Sequence, residues 1–403
     1  MQKSPNDAVL ISACRTPIGK FRGGLSTCRP DDLLALAFRD ALTRSGIAEE
    51  SVDEAIAGCA NQAGEDNRNV ARMALLLASL PQKIPAVTVN RLCASGLEAL
   101  VQAARAIRAK DAHVVLVGGV ESMSRAPWVM AKPEIPYPSG APNIFDSALG
   151  WRFPNPKMAA LFPLESMGET AENIAEQFGI TRQEQDEFAL RSHQKATIAW
   201  QNRLFDQEIT KVCIPQKKGP ELIVAADEGP RTDTTLLQLQ QLTPAFRQNG
   251  SVTAGNSSTL NDGAAALVMT SREFANAHGL NILACFRSVG AAGVDPRIMG
   301  IGPVPATKIA LQRAGISITD LNAIELNEAF AAQSLAVIKE LQLNPERVNQ
   351  RGGAIALGHP LGCSGARLMV TLLNILKDKQ ETFGLVTLCV GLGQGLSVIV
   401  ENE

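Results

Sequence analysis

The sequence has no excess of either charge. Its 38 Lys and Arg against 40 Asp and Glu give a formal net charge of −2. That balance excludes a surface built to wrap a polyanion or to be drawn onto a membrane. It leaves room for a local basic patch that meets a phosphorylated ligand. No run reaches the ~18 apolar residues that a spanning helix needs. Met1 to Asp7 is short and polar and lacks an apolar signal core. The last three residues, Glu401-Asn402-Glu403, are not a peroxisomal address. The expectation is a soluble cytoplasmic protein with no nucleic-acid or membrane partner. Histidine is scarce: four residues, scattered, form no ligand cluster, so no metal is expected. The eight cysteines make no CxxC pair and no dense framework. They are expected to be reduced thiols, most of them ordinary buried small residues.

What the chain has in quantity is apolar residue, 45% of 403, enough for a large core spread over two or three structural units. Strand-like runs alternate with helical stretches, which predicts an α/β protein. Strands are expected at Val9–Ala13, Ala55–Gly58, Ala86–Asn90 and Val114–Gly118. The last is continuously apolar, as a strand buried on both faces should be. Helices are expected at Asp31–Ser45, Val70–Leu80 and Leu97–Ala109. From Ser122 to about Asn249 prolines cluster and polar amphipathic stretches such as Gln183–Arg203 follow. A region that long should carry helices of its own, and it reads as an insertion covering one end of the sheet. Alternation then returns. Strands are expected at Ala264–Thr270, Ile282–Val289, Ala323–Glu325, Gly384–Cys389 and Leu396–Val400, and helices at Val304–Ala314, Ala329–Leu341 and Gly365–Lys377. Each end holds a cysteine–serine–glycine unit opening a helix, Cys93-Ala94-Ser95-Gly96 and Cys363-Ser364-Gly365. The pair hints at a duplicated fold.

Four stretches can carry chemistry. In Asn90-Arg91-Leu92-Cys93-Ala94-Ser95-Gly96, a cysteine sits on a strand-to-helix turn at the positive end of a helix dipole. That position is expected to lower its pKa. The plain alternative is an inert cysteine at a turn. In Gly352 to Arg367, His359 is framed by glycines and a proline, where it could deprotonate a nearby thiol. Here the alternative is a glycine-rich turn with a structural histidine. In Asn327-Glu328-Ala329-Phe330, Asn327 could hold a water or donate to an oxyanion, or simply cap a helix. In Cys389-Val390-Gly391-Leu392-Gly393-Gln394-Gly395, a second cysteine ends a buried strand and could shuttle a proton. No helix follows its glycines, so they are not a dinucleotide fingerprint.

Together, in this order, the four stretches resemble the thiolase superfamily, from Ile11-Ser12-Ala13-Cys14-Arg15-Thr16-Pro17 to the C-terminus. The resemblance implies a five-layered αβαβα fold of two similar halves. Residues 1–121 with about 250–273 would form the N-terminal half, 122–249 the inserted loop domain and 274–403 the C-terminal half. It implies a homodimer or homotetramer, no permanently bound cofactor, and coenzyme A and its thioesters as substrates. Cys93 would be the nucleophile, His359 its activator and Cys389 the acid/base. Asn327 would fix a water that completes one oxyanion hole with His359, and the backbone N–H groups of Cys93 and Gly391 would form the other. Arg231, in Asp227-Glu228-Gly229-Pro230-Arg231, would lie against the nucleotide end of coenzyme A, or else be a solvated surface arginine. Ser258 would hydrogen-bond the pantetheine, and Met167 would line the acyl pocket.

Within the superfamily the chain resembles the 3-oxoadipyl-CoA thiolases of bacterial aromatic catabolism. The shared residues are Gly58 to Ala74, Gly150-Trp151-Arg152-Phe153 and the Cys389–Gly395 stretch. Leu392 interrupts the glycine run of a generic thiolase, and Ser166 stands where acetoacetyl-CoA enzymes often carry histidine. Cys363, often alanine, is given a packing role. A substrate with a distal carboxylate wants a cation, for which Arg125, Lys132 and Arg152 are candidates. The alternatives are an acetyl-CoA acetyltransferase or broad 3-ketoacyl-CoA thiolase, a carrier-protein ketosynthase, and a non-catalytic protein that binds acyl-CoA or lipid.

Overall fold

A computed structural model describes residues 3–403. In chain order the first part contains β1 (Ala8–Arg15), β2 (Gly19–Lys20), α1 (Pro30–Ser45), β3 (Glu54–Gly58), α2 (Val70–Leu77), β4 (Ala86–Val89), α3 (Ser95–Ala109) and β5 (Val114–Ser122). The middle contains β6 (Trp128–Met130), β7 (Ile144–Asp146), α4 (Pro156–Leu161), α5 (Met167–Phe178), α6 (Arg182–Gln201), β8 (Val212–Ile214), β9 (Leu222–Val224) and α7 (Leu236–Gln240). The last part contains β10 (Asn261–Ser271), α8 (Arg272–Ala277), β11 (Ala284–Gly293), α9 (Pro303–Ala314), β12 (Leu321–Leu326), α10 (Ala331–Leu341), α11 (Ala354–Leu357), α12 (Leu361–Lys379), β13 (Phe383–Val390) and β14 (Gln394–Asn402).

The large strands run in the order β4-β3-β5-β10-β1-β11-β14-β13-β12. The path has two matching arms. In one, β4, β3 and β5 are parallel and β10 and β1 follow antiparallel. In the other, β12 and β13 are parallel and β14 and β11 follow antiparallel. Among the described residues the strands of the two arms pair through Val9↔Cys285 and Leu10↔Ala284.

Three apolar clusters make this a five-layered molecule. One lies between the two arms and is filled by α3 and α12. A second packs α1 and α2 on the outside of the first arm, and a third packs α9 and α10 on the outside of the other. α12 has no polar face to speak of: fourteen of its nineteen residues are buried, as a helix covered on all sides requires. Each fully buried leucine in it contributes about 1.5–3 kcal/mol.

α12 begins at Leu361, four residues before the start expected from the sequence. Leu361 to Ser364 read as loop, but packing against α3 and β5 makes them helical. The reason is visible at Gly119 in β5. A Cβ there would lie 2.1 Å from the carbonyl oxygen of Gly362, so only glycine lets the first turn of α12 approach the strand. In the middle region α5 and α6 pack on α10 and α11. A capping box between Thr181 and Glu184 starts α6. No helix is long and apolar enough to cross a membrane among the described residues.

Candidate active site

The nucleophile candidate stands on a strained turn. β4 ends at Val89, Leu92 takes φ +46°, and α3 begins at Ser95. A leucine in the left-handed region costs energy that the surroundings must supply. They do so through side chains that grip the turn. Asn90 Oδ1 accepts from Leu92 N (2.8 Å), and Ser95 Oγ accepts from Arg91 N (2.9 Å) and donates to Leu92 O (2.7 Å). The side chain of Arg91 reaches Glu98 (2.8 Å) and Gln394 Oε1 (3.0 Å), tying the turn to the start of β14.

Cys93 ends up half-buried, and the backbone N–H groups of Gly391 and of Cys93 itself are directed at its sulfur. Burial nonetheless pushes the thiol up to about 11, with the two amides pulling the other way and the buried Glu121 adding to the rise. This corrects the expectation of a lowered pKa. Desolvation outweighs the helix end, so the resting sulfur is a thiol and needs a base.

Cys389 is the last residue but one of β13, fully buried, and near enough to Cys93 that a charge on the Cys93 sulfur would disfavour one on its own. Burial pushes its thiol up strongly. After it comes a loop with Leu392 at φ +65° and Gly393 at φ +81°. A Cβ on Gly391 would lie 3.2 Å from Leu92 Cδ1 and 3.6 Å from Met167 Sδ. The nucleophile turn, the second cysteine's loop and the first residue of α5 therefore meet at one point.

His359 sits between Gly358 (φ +110°) and Pro360, the N-cap of α12. Its Nδ1 is 2.6 Å from Ser364 Oγ, and its Nε2 is 3.3 Å from Asn327 Nδ2. Ser364 Oγ is also 2.8 Å from Pro360 O. That carbonyl can only accept, so the serine spends its proton there and offers a lone pair to the ring. Nδ1 then carries the imidazole proton and Nε2 is the basic nitrogen. Burial, reinforced by Arg367, lowers the ring's pKa to about 3, so it is neutral at any ordinary pH.

Asn327 follows β12, where its N–H donates to Thr387 O (3.0 Å), two residues before Cys389. The N-cap of α10 is Phe330, so Asn327 is not a helix cap. Its Oδ1 is buried without a hydrogen-bond partner among the described residues. Ser258 N donates to Ala329 O (3.0 Å), which lays the Ser258 loop along the Asn327–Phe330 stretch.

Arg231 is exposed, with no ion pair among the described residues, and its N–H donates to His193 Nδ1 (3.2 Å). Burial, with Arg231 and Lys20 nearby, lowers His193 to about 4. Cys363 is buried in the central cluster, with its thiol pushed up to about 12, and touches none of these groups by hydrogen bond. Sequence reasoning assigned nothing to Ser364, Arg91 or Glu121. Glu121 is the last residue but one of the fully buried β5 and accepts from Ala60 N, Asn61 N and Gly362 N at 2.8–3.1 Å. Its carboxyl rises to about 7 through burial. An acid at the end of a wholly buried strand was the signal available. Cys59, Asp66 and Glu121 lie within ligand distance of one another. Because Glu121 already binds three amides, the group reads as a hydrogen-bonded cluster.

Two family models match the chain: the thiolase N-terminal domain over residues 8–273 and the thiolase C-terminal domain over 280–402. The chain is 52% identical over 399 residues to the 3-oxoadipyl-CoA/3-oxo-5,6-dehydrosuberyl-CoA thiolase of Escherichia coli, covering 98% of this chain and 99% of that one. The crystal structure of the Bacillus anthracis acetyl-CoA acetyltransferase superposes with a TM-score of 0.94 at 42% identity, covering 98% and 99% of the two chains. Human mitochondrial 3-ketoacyl-CoA thiolase in complex with CoA gives 0.92 at 37% identity over the whole of both chains. The chain belongs to the thiolase family of acyltransferases.

Proposed function

We propose that this thiolase cleaves 3-oxoadipyl-CoA with coenzyme A to give succinyl-CoA and acetyl-CoA. The observation that carries the chemistry is the convergence of the Cys93 and Gly391 amides on the Cys93 sulfur, beside a second thiol. The substrate follows the 52%-identical relative named for 3-oxoadipyl-CoA.

His359 Nε2 takes the Cys93 proton as the sulfur attacks the 3-oxo carbon. The oxyanion formed there faces the N–H groups of Cys93 and Gly391. The bond between C2 and C3 then breaks, leaving succinyl on Cys93 and an acetyl-CoA enolate. The enolate oxygen is held by protonated His359 and a water on Asn327, whose Oδ1 is free to accept. Cys389 gives its proton to the enolate carbon. The resulting Cys389 thiolate takes the proton of incoming coenzyme A, which attacks the thioester and releases succinyl-CoA. The departing Cys93 sulfur recovers its proton from His359. Arg231 and Ser258 would hold the two ends of the coenzyme A, and Met167 the wall of the acyl site.

A second reading, an acetyl-CoA acetyltransferase, is favoured by the match to the Bacillus anthracis enzyme. The test is cleavage of 3-oxoadipyl-CoA and acetoacetyl-CoA side by side, with Cys93→Ala as control. A kcat/KM advantage above about tenfold for 3-oxoadipyl-CoA supports the proposal, roughly 1.4 kcal/mol of transition-state preference. Equal rates favour the second reading. Activity surviving in the alanine variant removes Cys93 from the mechanism.

A further inference from the structure

Three cations of the middle region were open as partners for a distal carboxylate, and their surroundings separate them. Arg125 is already neutralised: its guanidinium pairs with Glu65, Nη2 to Oε1 at 2.6 Å. Lys132 is exposed on a solvated stretch. Arg152 differs from both. It is half-buried, and every acceptor it meets is neutral: Asn61 Oδ1 (3.0 Å) and Ser147 O (2.9 Å) for Nη1, Asn61 O (2.9 Å) for Nη2.

A guanidinium has five N–H donors. Three are used here. Asn61 takes the end formed by Nη1 and Nη2, and Ser147 takes the second Nη1 hydrogen. What remains is Nε–H and one Nη2–H, which lie on the same edge and form the fork that fits a carboxylate bidentately. A half-buried cation with a free fork and no acidic partner among the described residues is an unfinished ion pair.

The segment carrying it bridges the two walls of the active site. On one side Asn61 adjoins Ala60, whose carbonyl accepts from Asn90 Nδ2 (2.9 Å) at the head of the nucleophile turn. On the other, Trp151 Nε1 donates to Glu165 O (3.1 Å), two residues before Met167, whose sulfur lies against Gly391.

We propose that Arg152 is a specificity-determining residue that receives the distal carboxylate of a dicarboxylic 3-oxoacyl-CoA on its free Nε–Nη2 edge. The proposal rests on the substrate reading above.

The test compares 3-oxoadipyl-CoA with 3-oxohexanoyl-CoA, which has the same chain length and a methyl group in place of the carboxylate. The expected result is that Arg152→Gln lowers the ratio of their kcat/KM values at least tenfold, mostly through KM for 3-oxoadipyl-CoA. Arg152→Lys should lose less. Arg125→Gln, which breaks a pair already made, should leave the ratio within about twofold. A wild-type preference for 3-oxoadipyl-CoA that persists in Arg152→Gln would overturn the role of Arg152 and leave the substrate reading standing. A proportional loss on both substrates would show that Arg152 only holds Asn61 and Ser147 in place, and would overturn it too. A wild-type enzyme with no preference between the two would sink the substrate reading itself, and this proposal with it.

Discussion

His359 and Ser364 stand five residues apart across the start of α12, with Nδ1 and Oγ separated by 2.6 Å, and the same hydroxyl reaches back to Pro360 O. The serine thereby decides which ring nitrogen is basic. Ser364→Ala removes that lock and leaves a buried ring N–H without its acceptor. The expected effect is a fall in kcat of about 5- to 150-fold, the ~1–3 kcal/mol of an unsatisfied buried donor, with KM for coenzyme A little changed. Ser364→Thr keeps the hydroxyl and should restore most of kcat. If alanine and threonine fall together, the site is sensitive to volume and the tautomer argument is wrong.

The Cys93 thiol, pushed to about 11 by burial, predicts the pH dependence of its alkylation. Below its pKa the thiolate fraction rises tenfold per pH unit. Iodoacetamide labelling of the Cys93 peptide, followed by mass spectrometry, should accelerate about tenfold per unit from pH 7 to 9. Exposed Cys213 is an internal comparison. A plateau reached by pH 8 would mean that the resting sulfur is already a thiolate paired with a protonated ring.

These two cases mark where the sequence stops being informative. Cys93, His359, Asn327 and Cys389 were legible as candidates because each sits in a short run whose small neighbours and turn residues admit few structures. The sign of the Cys93 shift was not. Helix end and burial oppose each other, and only the packing of the Gly391 loop and Glu121 around the sulfur decides between them. The start of α12 was missed for a similar reason. Leu361 to Ser364, with a glycine among them, has loop propensity, and contact of Gly362 with Gly96 and Gly119, far away in sequence, makes it helix. Nor could Arg152 be told from Arg125, since Glu65, which neutralises Arg125, lies 60 positions away.

Arg91 and Gln394 join the nucleophile turn to the loop after Cys389, with Nη1 and Oε1 at 3.0 Å. If this bond holds the two loops in register, Arg91→Ala and Gln394→Ala should each lower kcat/KM. The double variant should then lose less than the sum of the two. A coupling energy of about 0.5–3 kcal/mol is the range for residues in contact. Strict additivity would show that the loops are positioned by Leu92 and Gly391 alone.

Gly119→Ala should be among the most damaging single-methyl changes in the molecule. Its Cβ would stand 2.1 Å from a backbone oxygen of α12, which no rotamer change can relieve. The expected loss is ~3 kcal/mol or more, read as a lower midpoint in urea. A change below about 1 kcal/mol would mean that α12 can slide along the sheet.

His193 links acid stability to the loop that carries Arg231. In the folded chain it is lowered to about 4 by burial and by Arg231 and Lys20, against an ordinary value near 6.5. Between those two values the unfolded chain binds the proton and the folded chain does not. Stability from this group is therefore fully present above about 6.5 and is lost as pH falls toward 4. His359, lowered to about 3, acts in the same direction. Glu121 and Glu325 oppose them, because burial raises their folded values to about 7 and about 8, so their contribution falls as pH rises above 4.5. The acid sensitivity is thus a balance, and removing one member should tip it visibly. His193→Gln keeps an acceptor for Arg231 N but no longer binds a proton. The drop in Tm from pH 7 to pH 5 should be smaller in this variant than in the wild type, with the two proteins closest at pH 5. An unchanged or larger drop would show that His193 is solvated enough to protonate without unfolding the chain around it.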